Sequence, residues 1–177
     1  MATVFDVANF FVELAQNDEN DTITNMRVNK LLYFAQAWYM VRYDKPMFEE
    51  DFEAWEFGPV IPVIYKKYSK YKKNHIADVS DDYSADVFTD QELETLIDVA
   101  NYYGRYSTAA LVDKTHLRNG PWDVTLQNRK SIINKESIKE FYKNEVPLDS
   151  FDIPKWMYDS AEEGYRNSEG VKVFKRD

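Results

Sequence analysis

Cysteine is absent from this 177-residue chain, which excludes a disulfide scaffold, a thiol nucleophile and every Cys-based zinc or iron–sulfur site. Histidine is scarce: His75 and His116 are the only two, and neither belongs to an HExxH motif or an i,i+4 histidine pair. The five glycines, at 58, 104, 120, 164 and 170, are too scattered for a phosphate-cradling loop, and no GxSxG elbow occurs. No apolar run approaches the ~18 residues of a membrane span. The longest candidate, Leu31 to Val41, is short and contains Gln36. The opening stretch MATVFDVANFFVEL carries Asp6 and Glu13 but no basic residue, unlike a secretory signal. The formal glycosylation sequon Asn20-Asp21-Thr22 therefore has no secretory context. These absences predict a cytoplasmic protein with no cofactor, no metal, no membrane association and no catalytic set.

What is present is acidic and aromatic. Asp and Glu number 31 against 22 Lys and Arg, giving a formal net charge of −9 with a pI near 4.8. That balance argues against a nucleic-acid partner, because phosphate contacts need a net positive binding face. Charge is also segregated along the chain. Residues 57–77 hold five lysines (66, 67, 70, 72 and 73) and no acid, whereas residues 78–104 hold eight acids and no Lys or Arg. Two faces of opposite sign can orient a charged protein partner, and Lys66 and Lys70 become candidate contacts. Tyr65, Tyr68 and Tyr71 interleave with these lysines; on a helix they are expected to form the buried side, with the lysines outward. Asp78, Asp81, Asp82 and Asp86 lack EF-hand spacing and read as a solvated loop.

Periodicity predicts a mainly α fold: a compact helical domain around one central apolar helix, with a short extended insert near residues 47–57. Thr3 can cap a first helix from Val4 to about Ala15. Thr24 opens a long helix to about Arg42 that is apolar on most sides, as expected of a buried centre. Gly58-Pro59 reads as a turn, and Pro62 starts a third helix to Lys73. Thr89-Asp90-Gln91-Glu92 matches a capping box for a helix ending at Gly104, and Ser107 caps another to about Thr115. Asn119-Gly120-Pro121 reads as a turn, Asn134 as a cap, and Asp152 with Pro154 as the start of a last helix to about Tyr165.

His116, in Thr115-His116-Leu117-Arg118-Asn119-Gly120-Pro121-Trp122, could be a general base only with a nucleophile or substrate oxygen in reach. The simpler expectation has it satisfying last-turn carbonyls while Trp122 packs beneath it.

The run Lys30-Leu31-Leu32-Tyr33-Phe34-Ala35-Gln36-Ala37-Trp38, followed by Phe52-Glu53-Ala54-Trp55-Glu56-Phe57-Gly58-Pro59-Val60, closely resembles the Panacea domain. This is the SocA-like antitoxin domain, also met in phage-associated proteins of the GepA type. Leu111 to His116 with Gly120-Pro121-Trp122, and Glu136 to Tyr142, resemble later blocks of the same family. The resemblance implies a domain over 1–144, with 145–177 a C-terminal extension whose final helix packs on the same body. It implies a non-enzymatic antitoxin that neutralises a cognate protein toxin, encoded by an adjacent gene, through direct binding. The alternative is a phage or prophage protein that binds or recruits a host protein. Because the matching block starts almost at Met1, operator binding through an added N-terminal domain is not expected.

Within the motifs, Leu31, Leu32, Phe34, Trp38, Trp55, Gly58, Pro59, His116, Pro121 and Trp122 are expected to maintain the fold. The polar members Lys30, Gln36, Glu53 and Glu56 join Lys66 and Lys70 as candidate partner contacts.

Overall fold

A computed structural model describes residues 2–17, 22–77, 79, 82–147, 165–166 and 172–173. Its first helix, α1 (Val4–Gln16), begins where Thr3 and Asp6 form a reciprocal capping box. The second, α2 (Asn25–Tyr43), is capped by the Thr24 side chain and ends at Asp44 in a left-handed conformation (φ 55°). The hairpin β1 (Glu53–Trp55) and β2 (Gly58–Val60) follows, then α3 (Pro62–Tyr68), which tightens into a 3₁₀ turn at Ser69–Tyr71. A further 3₁₀ turn, Ala85–Val87, leads to α4 (Asp90–Tyr103), whose Thr89–Glu92 capping box forms as the sequence predicts. The remaining described helices are α5 (Thr108–Thr115), α6 (Pro121–Gln127) and α7 (Lys135–Tyr142), with Ser107 and Asn134 capping α5 and α7. Two-residue strands β3 (Tyr165–Arg166) and β4 (Lys172–Val173) pair antiparallel. The mainly α architecture expected from periodicity is the one observed.

Helix α2 is the hub. It touches α1, α3, α4, α5, α7 and β2, so its middle is covered on every side and Val28 through Met40 are all buried. Trp38, Tyr33, Phe34 and Leu32 are among the largest side chains removed from water. Aromatic rings pack edge-on or stacked around them: Phe34 stacks on Tyr103 (centroids 3.9 Å, 11°), and Tyr33 meets Phe52 edge-on at 5.3 Å. A buried ion pair ties α2 to α4. Arg42 and Asp98, both almost fully buried, pair at 2.7 Å, and the guanidinium lies 5.2 Å from the Trp38 ring centroid. Burial pushes the Asp98 carboxyl above its ordinary range, against the opposing pull of Arg42. No described helix is long and apolar enough to cross a membrane.

Several expectations need correction. Gly58-Pro59 is not the turn but the start of β2; the turn is Glu56–Phe57, with Trp55 paired to Gly58. Both central residues keep negative φ, and the left-handed step that closes the hairpin is taken by Gly58 (φ 98°). Helix α3 stops at Tyr68 rather than Lys73, and Lys72 has φ 54°. Of the three tyrosines only Tyr68 is buried: Tyr65 is exposed and Tyr71 half-buried. Steps of three residues turn a helix by about −60°, so three such residues fan across roughly 120° and cannot share one narrow buried stripe. Met26, in the first turn of the otherwise apolar α2, is exposed. Helix α6 lies where only a turn was read. The expected last helix over 152–165 lies outside the described residues, apart from Tyr165, which is in β3.

Candidate functional site: a hairpin held by its carbonyls

The motif blocks, distant in sequence, meet at the β1–β2 hairpin. A two-stranded ribbon of three-residue strands is marginal by itself, and this one is held from three sides. From α6, Trp122 donates its indole N–H to the Trp55 carbonyl at 2.8 Å. From the end of α5, His116 places Nε2 at 3.2 Å from the Glu56 carbonyl oxygen. From α2, Lys30 donates Nζ to the Pro59 carbonyl at 3.0 Å. Two residues further on, the Ile61 N–H donates to Asn29 Oδ1 at 2.9 Å. On the outer edge, the Ala54 N–H donates to the Ser131 carbonyl at 2.7 Å and Glu53 bridges to Ile132.

The local reasons are legible. Gly120-Pro121 starts α6 with Pro at its first position, which sets Trp122 against His116 with ring centroids 3.8 Å apart. His116 Nδ1 lies 2.7 Å from the Val112 carbonyl oxygen, a last-turn acceptor of α5. The Thr115 hydroxyl donates to that same carbonyl at 2.7 Å. Gly58 is enclosed: a Cβ there would stand 2.6 Å from Thr115 Oγ1 and 2.9 Å from Lys30 Cε. Only glycine fits both the space and the backbone angle.

Lys30 is the unusual member. It is 1% exposed, and among the described residues it has no ion-pair partner. Loss of water around the ammonium lowers its pKa from the ordinary 10.5 to about 7. Gln36, 0% exposed, plays a parallel part on the preceding segment. Its Oε1 accepts from the Met47 N–H at 2.8 Å, and its Nε2 donates to the Phe48 carbonyl at 2.8 Å. Neither residue reaches the surface, so neither offers a partner contact. A polar side chain on an otherwise apolar helix must find buried partners, and here those partners are backbone groups of segment 47–61.

The other candidates divide between the two sides of the hairpin. Glu53 is half-buried and accepts from Trp55 Nε1 at 2.8 Å. Glu56, Lys66 and Lys70 are exposed. Leu31, Leu32, Phe34 and Trp38 lie in the core; Gly58 and Pro59 are buried within the hairpin and Pro121 is buried at the start of α6; Trp55, His116 and Trp122 are half-buried. Among the described residues no group of three or more His, Asp or Glu side chains is placed to hold a metal. Asp78 and Asp81 of the acidic loop lie outside them. The polar side chains that converge here bond backbone groups, carbonyls above all, an arrangement that fixes a loop.

Comparison with known proteins gives this arrangement a family. The chain is 35% identical over 113 residues to the Antitoxin SocA of Caulobacter vibrioides (strain NA1000 / CB15N), covering 58% of this chain and 59% of that protein. It thus spans rather less than two thirds of the curated relative's length. No solved structure gives a significant match. The profile of the SocA-like antitoxin, Panacea domain, matches residues 28–123. That range runs from the first turns of α2 to the start of α6 and contains Lys30, the whole hairpin, His116 and Trp122; the resemblance at Glu136–Tyr142 falls beyond it. With more than half of its residues so matched, and with the matched part centred on the clamped hairpin, the chain belongs to the SocA-like antitoxin, Panacea domain, family.

Proposed function

We propose that this chain is an antitoxin that neutralises a partner toxin by direct protein–protein binding, without catalysing a reaction. The observation that carries this reading is the use to which the shared motif is put. Lys30, Gln36, His116 and Trp122 each engage main-chain groups of one segment, so the motif builds a fixed shape instead of a reactive centre. A fixed scaffold presenting a surface is what a binding protein needs. The similarity to a protein named Antitoxin SocA gives the shape its purpose, and the toxin is a protein encoded by an adjacent gene.

The test is a growth assay with the neighbouring reading frame expressed alone and together with this chain. Toxicity alone, rescue on co-expression and a co-purifying complex are the expected results. A neighbour that is harmless, or toxic without rescue, would overturn the proposal.

A further inference from the structure

The hairpin is held on its inner side and bare at its tip. Phe57, in the turn, is 56% exposed, the highest value among the exposed large apolar residues described, and Glu56 beside it is exposed too. These two side chains add little to the core, yet three side chains from α2, the end of α5 and α6 hold the carbonyls around them. Rigid presentation of a residue that the fold itself hardly uses lowers the ordering cost of docking.

The neighbours of the hairpin share this exposure. Val63 and Tyr65 are exposed on α3, where the Tyr65 ring meets Trp55 at 4.9 Å. Leu117, exposed, directly follows His116, and exposed Ile132 bridges to Glu53. Apolar side chains gathered on elements that touch one another mark an interaction surface. Lys66 stands exposed on α3, within residues 57–77, a stretch that contains five lysines and no acid. The protein as a whole carries −9.

From this we infer that the hairpin tip and the exposed side of α3 form the face that receives the partner, and that the partner offers an apolar pocket for Phe57 bordered by carboxylates that meet the lysines. The inference rests on the antitoxin reading and adds the face and the chemistry of what binds there. Two other occupants fit less well. An isologous dimer through this face would set one lysine-rich side against another. Nucleic acid would be repelled by the strong net negative charge.

The experiment places a photo-crosslinking phenylalanine analogue at position 57, and as control at Val87, exposed on the 3₁₀ turn that packs against α1. The full chain is expressed with the affinity-tagged product of the neighbouring reading frame. Phe57→Ser and Lys66→Glu are measured alongside for binding and melting temperature. The expected result is a cross-link from 57 but not 87, with each variant binding at least about tenfold more weakly at unchanged melting temperature, and with the loss in Lys66→Glu steepest at low salt. If the wild type rescues growth and binds while 57 stays silent and both variants bind normally, the assigned face is wrong and the antitoxin reading stands. If the wild type neither rescues nor binds, that reading falls and the face falls with it. A cross-link from 57 only to a second copy of this chain would replace the toxin by self-association.

Discussion

Lys30 and Lys66 stand on helices that pack against each other, and they are used in opposite ways. On α2 every side is covered, so Lys30 and Gln36 turn inward and bond only main-chain atoms of segment 47–61. On α3 one side is open, and Lys66 and Lys70 project into solvent. The motif that identifies the family is written mostly in the first language. Its polar residues hold the hairpin's geometry, while the chemistry available to a partner lies on exposed residues. A family can therefore keep one scaffold and vary what it displays.

Breaking the interior side should cost stability, and breaking the exterior side should not. The largest effect is expected for Trp38→Ala, which empties a fully buried site and should lower unfolding free energy by about 3–5 kcal/mol in urea titrations. Gly58→Ala should follow at about 3 kcal/mol, from a left-handed backbone angle and a clash with Thr115; a loss under about 1 kcal/mol would show that the hairpin can shift.

Lys30 sharpens the contrast through pH. Its folded pKa, about 7, lies below the unfolded value of 10.5, so between them the unfolded chain binds the extra proton. Stability gained from this group should rise with pH from about 7 upward, by at most about 1.4 kcal/mol per unit. Denaturation from about pH 7.5 to about 8.5, below the range where tyrosines ionise in the unfolded chain, should show this slope in the wild type and lose it in Lys30→Met. An identical slope in both would mean that the ammonium keeps its water. Gln36→Leu should cost about 2 kcal/mol by orphaning the Met47 N–H and the Phe48 carbonyl. Last, Lys66→Ala should move stability by less than about 0.5 kcal/mol, and a larger loss would place Lys66 in the fold after all.

Much of this fold was legible because helices announce themselves locally. Thr3, Thr24, Thr89, Ser107 and Asn134 each cap the helix they were expected to cap, and the all-round apolar pattern of α2 identified the hub. What escaped was short or non-local. Helix α6 has only seven residues, too few for a periodic pattern, and its Gly120-Pro121 start is equally a turn signal. The hairpin's turn was displaced by two residues because glycine and proline usually mark turns, whereas here they supply the left-handed step and a buried strand. The clamp joins residues 29, 60 and 67 positions apart, and such bonds leave no spacing to read. The one available hint was chemical: Lys30 and Gln36 interrupt an apolar helix, and burial obliges both to find partners inside.

The clamp also ties the display to the completion of folding. Its donors come from α2, from the end of α5 and from α6, while the strands they hold are too short to persist unaided. A chain in which α2 has formed but α5 and α6 have not docked has no ordered tip. Anything that recognises the tip consequently recognises only molecules in which the clamp is complete, so a nascent or damaged copy is silent until α5 and α6 are seated.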